Sequence, residues 1–139
     1  MSDTESTFQL FDLRVTVEAP ADGSPLLCSS KPGDYLELKG EVLTLPANQG
    51  FSVYSLGALL PLLPAKQRAL SKGDWMSRED RIACSDPACK STMLIQRIAV
   101  STFKQGENGV VELMDKKARA IMRQSSQAYI RQALTRLEI

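Results

Sequence analysis

The sequence predicts an α+β domain: a small mixed or antiparallel sheet, one central apolar helix and a long C-terminal amphipathic helix. Three observations carry this. Phe11 to Glu18 alternates apolar and polar residues, the period of a half-buried strand. Val53 to Leu63 is an apolar run of helical length. Asp115 to Leu137 contains neither proline nor glycine, and Ala118, Ile121, Met122, Ser125, Tyr129, Ala133 and Leu137 recur there at helical spacing.

The elements follow in order. In the first strand Phe11, Leu13, Val15 and Val17 face one side, and Asp12, Arg14, Thr16 and Glu18 face the other. Ala19 to Pro25 is a turn, and Leu26 to Cys28 is a short apolar piece. Lys31-Pro-Gly-Asp34 is a turn in which proline presets φ and glycine accepts a positive one. Tyr35 to Leu38 and Val42 to Leu45 read as strands joined around Lys39-Gly40-Glu41. The apolar helix starts after Ser52 or Ser55 as N-cap, and Pro61 and Pro64 break its far end. Ile82 to Cys84 and Thr92 to Ile98 read as strands flanking a Cys84–Cys89 turn. Val100 to Phe103 and Val110 to Leu113 add a pair around Gly106-Glu-Asn-Gly109.

This gives a disordered tail at 1–10, a core domain at 11–104 and a mainly helical extension at 105–139. A chain of 139 residues is long enough to bury a core without staples. A net charge of +1 offers no field for nucleic acid or an anionic membrane. No apolar run reaches the ~20 residues of a membrane helix. The polar, acidic start lacks signal-peptide character, so a cytoplasmic location with three reduced cysteines is expected. Histidine is absent, which removes Ser-His and Cys-His nucleophile pairs, His-metal sites and the usual neutral-pH base.

Several motifs stand in fixed order: Asp12-Leu-Arg-Val-Thr-Val, Cys28 with Lys31-Pro-Gly-Asp-Tyr35, Leu45-Pro with Gly50, and Tyr54-Ser-Leu with Leu60-Pro-Leu-Leu-Pro-Ala-Lys-Gln-Arg68. Asp74-Trp-Met, Cys84-Ser-Asp-Pro-Ala-Cys89 and Ile95-Gln-Arg follow. Over roughly residues 11–104 this order resembles a family of small proteins of bacteria and filamentous fungi, and within it the fungal branch. The family has no established general activity, so the resemblance implies no reaction. Its shorter bacterial members tend to carry Cys where this chain has Ser52, and often lack a counterpart of Cys89.

Three places hold chemistry. Cys28, Cys84 and Cys89, with Asp86 or water, have the donors of a tetrahedral zinc site or of an open [4Fe–4S] cluster. Two of them also suit a redox disulfide. The fourth Cys and the tight Cys-x2-Cys spacing are missing, however, and ordinary thiols are favoured over a metal. The second place is Lys66-Gln67-Arg68 beside the sole tryptophan, Trp75, where an exposed ring would be wasteful. Tyr54, Lys66, Arg68 and Asp74 are candidate catalytic groups that polarise or orient a substrate. Leu59, Leu63, Trp75 and Met76 are the candidate substrate wall, with Leu60, Leu62 and Met93 nearby. The same cations also suit structural pairing with Asp74, Glu79 or Asp80. Third, the C-terminal helix carries Lys116, Lys117, Arg119, Arg123, Arg131 and Arg136. They form a solvated face, while the apolar stripe docks on the domain or on a second copy, giving a homodimer.

The expected function is binding of a hydrophobic small molecule, without a cofactor, by a cyclase or isomerase of fungal secondary metabolism. Such catalysis depends on a shaped apolar pocket and one or two hydrogen bonds to a carbonyl. The alternative is a thiolate metal-binding or protein-interaction module without turnover.

Overall fold

The computed structural model describes residues 6–77 and 80–113. They fall into two compact units, Phe8–Ser101 and a second to which residues 102–113 belong. The fold is a mostly-β half-barrel of five antiparallel strands with one short helix. The strands are β1 (Thr7–Glu18), β2 (Tyr35–Lys39), β3 (Val42–Thr44), β4 (Arg81–Ala83) and β5 (Thr92–Gly106), in the order β3-β2-β1-β5-β4. A further strand, β6 (Gly109–Leu113), pairs with the end of β5.

The alternation in β1 becomes burial. Leu13, Val15 and Val17 are buried, and Leu13 and Val15 sit opposite Leu38 and Leu36 of β2. Leu59, Leu63, Met93 and Ile95 complete one apolar cluster. On the other face Arg14 stands opposite Glu37 and bonds it through two guanidinium nitrogens, at 3.0 and 2.6 Å. Both side chains are partly exposed, so solvent screens the pair and its contribution to stability is small. Asp12, expected on the solvent side, is buried instead and accepts a 2.8 Å hydrogen bond from the Ser101 hydroxyl. β1 also starts ahead of the expected Phe11.

The Lys31–Asp34 turn forms as its residues require. Asp34 N–H donates to the Lys31 carbonyl, and Gly33 lies at φ +91°. Gly33 N–H then reaches the Val17 carbonyl and Val17 N–H reaches Asp34, extending the β1–β2 ladder. β2 and β3 close around Gly40 at φ +57°.

Among the described residues the expected antiparallel sheet is present and the class is mostly-β, and the apolar run is where the expectation differs. The single helix predicted over Val53–Leu63 is α1, Val53–Leu59, followed by a one-turn α2, Leu63–Lys66. Ser52 caps α1 by accepting from Ser55 N–H. Pro61, with no N–H to donate, prevents the helix from running on. Nor is α1 central: it buries Ser55 and Leu59, whereas Val53, Tyr54 and Leu60 are 71, 77 and 50% exposed. The long amphipathic helix expected over 115–137, with any homodimer contact through it, lies outside the described residues.

Candidate functional site

The β4–β5 loop brings two thiols together. Cys84 N–H donates to the Ser91 carbonyl, one rung beyond the Ala83–Thr92 pair. Within the loop, Cys89 N–H donates to the Asp86 carbonyl at 3.0 Å, and Asp86 Oδ1 accepts from Ala88 N–H at 2.9 Å. Pro87 suits the first corner of that turn. The reversal sets both residues against Ser91, whose carbonyl accepts from Cys84 N–H and whose hydroxyl meets the Cys89 sulfur.

The two thiols are held differently. Cys89 is 5% exposed, and its sulfur lies 3.1 Å from the Ser91 hydroxyl. That hydroxyl foremost, then the backbone N–H groups of Leu27 and Ser91, pull the Cys89 thiol down to about 7. Each donor favours the thiolate. Burial pushes the Cys84 thiol up; the Asp86 N–H opposes this, and nearby Cys89 and Cys28 add to it.

Above the thiols opens a cleft of about 1150 Å³. Leu27 to Lys31 with Asp34, Asn48 to Tyr54, and Cys84 to Asp86 line it. Large apolar side chains stand at its surface: Leu27, Val53 and Tyr54 are 56, 71 and 77% exposed. Some of its polar groups are engaged by the protein: the Gln49 amide bonds both backbone groups of Tyr35, and the Asp34 carboxylate accepts from Lys31 N–H. Ser30 is both buried and unengaged. It is 8% exposed, and its hydroxyl is the one buried side-chain oxygen or nitrogen without a partner among the described residues.

A smaller cleft of about 470 Å³ lies between Lys66, Met76, Ser77, Asp80 and Leu94 to Arg97. Its cations are engaged by the protein. The buried Lys66 ammonium donates to the Met76 carbonyl and lies 3.6 Å from Asp80. Arg97 donates to the carbonyls of Lys66 and Arg68 and stacks over Phe11 at 4.2 Å.

The residues singled out from sequence are thus distributed. Tyr54 lines the larger cleft. Lys66 and Met76 meet at the smaller one. Leu59, Leu63 and Met93 belong to the core, while Leu60 is half exposed and Leu62 partly buried. Arg68 is exposed and donates to the Pro64 carbonyl at 2.7 Å. Asp74 accepts from Met76 N–H at 2.8 Å, fixing the short 3-10 turn Trp75–Ser77. Trp75 is 75% exposed. Cys28 and Cys84 line the larger cleft with Cys89 just behind. Among the described residues no three His, Cys, Asp or Glu side chains are grouped to hold a metal ion. Ser30, Leu27 and Val53 carried no sequence signal, because nothing in composition shows which buried hydroxyl lacks a partner.

No family model matches the chain, and no curated protein or solved structure shows significant similarity to it. No helix among the described residues is long and apolar enough to cross a membrane.

Proposed function

We propose that this protein binds a hydrophobic small molecule with a polar head group in the larger cleft, and acts on it as a cofactor-free isomerase or cyclase. One observation carries the reading: the unpartnered Ser30 hydroxyl. A buried hydroxyl left without an acceptor costs about 1–3 kcal/mol, and a ligand oxygen would offset that. Leu27, Phe51, Val53 and Tyr54 supply the apolar face of a cleft that is otherwise lined largely by polar residues. Holding a flexible chain in one reactive conformer accelerates such reactions, and a hydrogen bond to a developing oxyanion adds to it. A place in fungal secondary metabolism, in the cytoplasm, is part of the same proposal. The metal-module alternative is less favoured, because among the described residues the thiols are not grouped with a third ligand around one point.

Ser30→Ala tests this with two opposite effects. Removing the unpaired hydroxyl is expected to stabilise the ligand-free protein by about 1 kcal/mol. It is also expected to weaken binding of the amphipathic probe 8-anilinonaphthalene-1-sulfonate about tenfold, roughly one hydrogen bond. Tyr54→Ala should weaken binding without loss of stability, since Tyr54 is exposed. Destabilisation by Ser30→Ala with unchanged probe affinity would make Ser30 a structural residue and remove the argument for the cleft.

A further inference from the structure

We propose that the polar head group bound in the larger cleft is a protonated amine, held by the Asp34 and Asp86 carboxylates. The inference rests on the cleft being the ligand site and names the charge its ligand carries. The ionised side chains on the cleft wall are Lys31, Asp34 and Asp86, so the wall is negative on balance. The two carboxylates come from different loops, the Lys31–Asp34 turn and the β4–β5 loop, and only the folded chain brings them to one cleft. Each has one oxygen on a backbone group: Asp34 Oδ2 accepts from Lys31 N–H, and Asp86 Oδ1 accepts from Ala88 N–H. Among the described residues neither has an ion-pair partner. The carboxylates of Glu18, Asp22 and Glu37, by contrast, each meet a cation at 2.6 to 2.9 Å. Lys31 can neutralise one of the cleft carboxylates, and the other still lacks a counter-ion.

An ammonium matches what is left open. An ionised carboxylate only accepts, and an alkylammonium only donates. Hydrogen bonds between the two are charge-assisted and stronger than neutral ones. The Tyr54 ring, 77% exposed at the cleft, adds a π-face that attracts a cation. The hydroxyls of the cleft and the Asn48 amide both donate and accept, so they do not decide the sign of the ligand. The buried, unpartnered Ser30 hydroxyl is the independent sign that a ligand belongs here. It is free to donate to a ligand oxygen or to accept from the amine N–H. Leu27, Phe51 and Val53 are placed to take the apolar body. The ligand class is therefore the amphipathic amines, apolar compounds that carry one basic nitrogen. An anionic head group would instead face like charge from both carboxylates.

The test sets octylamine, octanol and octanoate in competition with 8-anilinonaphthalene-1-sulfonate on the full chain, at low salt and neutral pH. The three share one apolar tail and differ in charge, the amine being protonated there as a lysine side chain is. The probe is an anion and binds through its aromatic body despite the carboxylates. Octylamine is expected to displace it at the lowest concentration and octanoate at the highest, about threefold apart at each step. Salt at about 0.5 M should remove most of that order. Asp34→Asn and Asp86→Asn keep an acceptor for the Lys31 and Ala88 N–H groups, so both turns should stand. Each should weaken octylamine about threefold and tighten the anionic probe by a similar factor, whereas a misfolded variant would lose both ligands. Octanol or octanoate displacing the probe as well as octylamine does in the native protein overturns the amine assignment and leaves the cleft standing. So do folded Asn variants that move both ligands in the same direction. A native protein that binds neither the probe nor octylamine removes the cleft reading as well.

Discussion

Leu36→Ala is expected to destabilise the protein by about 3 kcal/mol, within the range for leucine truncation in a closed core. Leu36 has no exposed surface and sits opposite Val15 in the sheet. It belongs to the cluster that also holds Leu13, Leu38, Leu59, Leu63, Met93 and Ile95. Those neighbours come from β1, β2, α1, α2 and β5, so the cavity would open where the strands and helices meet. Collapse around it is resisted by the register on both sides of β2. Against a total of about 5–15 kcal/mol, such a loss is large. Urea unfolding measures it as a lower midpoint at unchanged slope. A loss under about 1 kcal/mol would mean that the cluster is not the packed centre described.

Lys66→Ala is the second large effect, expected at about 2–4 kcal/mol. Lys66 is 3% exposed, an unusual position for a lysine. Its ammonium is held by the Met76 carbonyl and, at 3.6 Å, by Asp80. Alanine removes the buried stem and leaves that carbonyl without its donor. Lys66→Met restores the stem and should recover most of the stability, losing only about 1 kcal/mol for the missing hydrogen bond. In neither folded variant should 8-anilinonaphthalene-1-sulfonate binding change, because Lys66 lies outside the larger cleft. A Lys66→Met protein that melts normally but no longer binds the probe would move the site to the smaller cleft.

The strands and turns were legible because each rests on local chemistry. Leu13, Val15 and Val17 alternate and are buried. Pro32 and Gly33 make a turn that few other pairs could, and Gly40 and the Gly106–Gly109 pair close hairpins. The Cys84–Cys89 segment was legible as a turn between two strands, and its Asp86 holds that turn through its carbonyl and carboxylate. The helix was misread because an apolar run does not reveal which side is covered. Val53, Tyr54 and Leu60 look like core residues but stand in solvent. Trp75 shows the same failure: a ring expected to be sheltered is 75% exposed. Lys66 fails in the opposite direction, a charged residue whose burial depends on a carbonyl contributed by the 3-10 turn at Trp75–Ser77. Ser30 was invisible because its significance is a missing hydrogen bond, which depends on every neighbour in three dimensions.

Amide NMR during titration with 8-anilinonaphthalene-1-sulfonate tests the location of the site most directly. The two clefts are lined by different backbone segments, so the perturbed resonances identify the one that is occupied. The result predicted here is saturable shifts at Leu27 to Lys31, Asn48 to Tyr54 and Cys84 to Asp86, with Lys66, Trp75, Met76 and Arg97 unmoved. Shifts centred on Lys66, Met76 and Arg97, with the Ser30 and Cys84 resonances still, would contradict it.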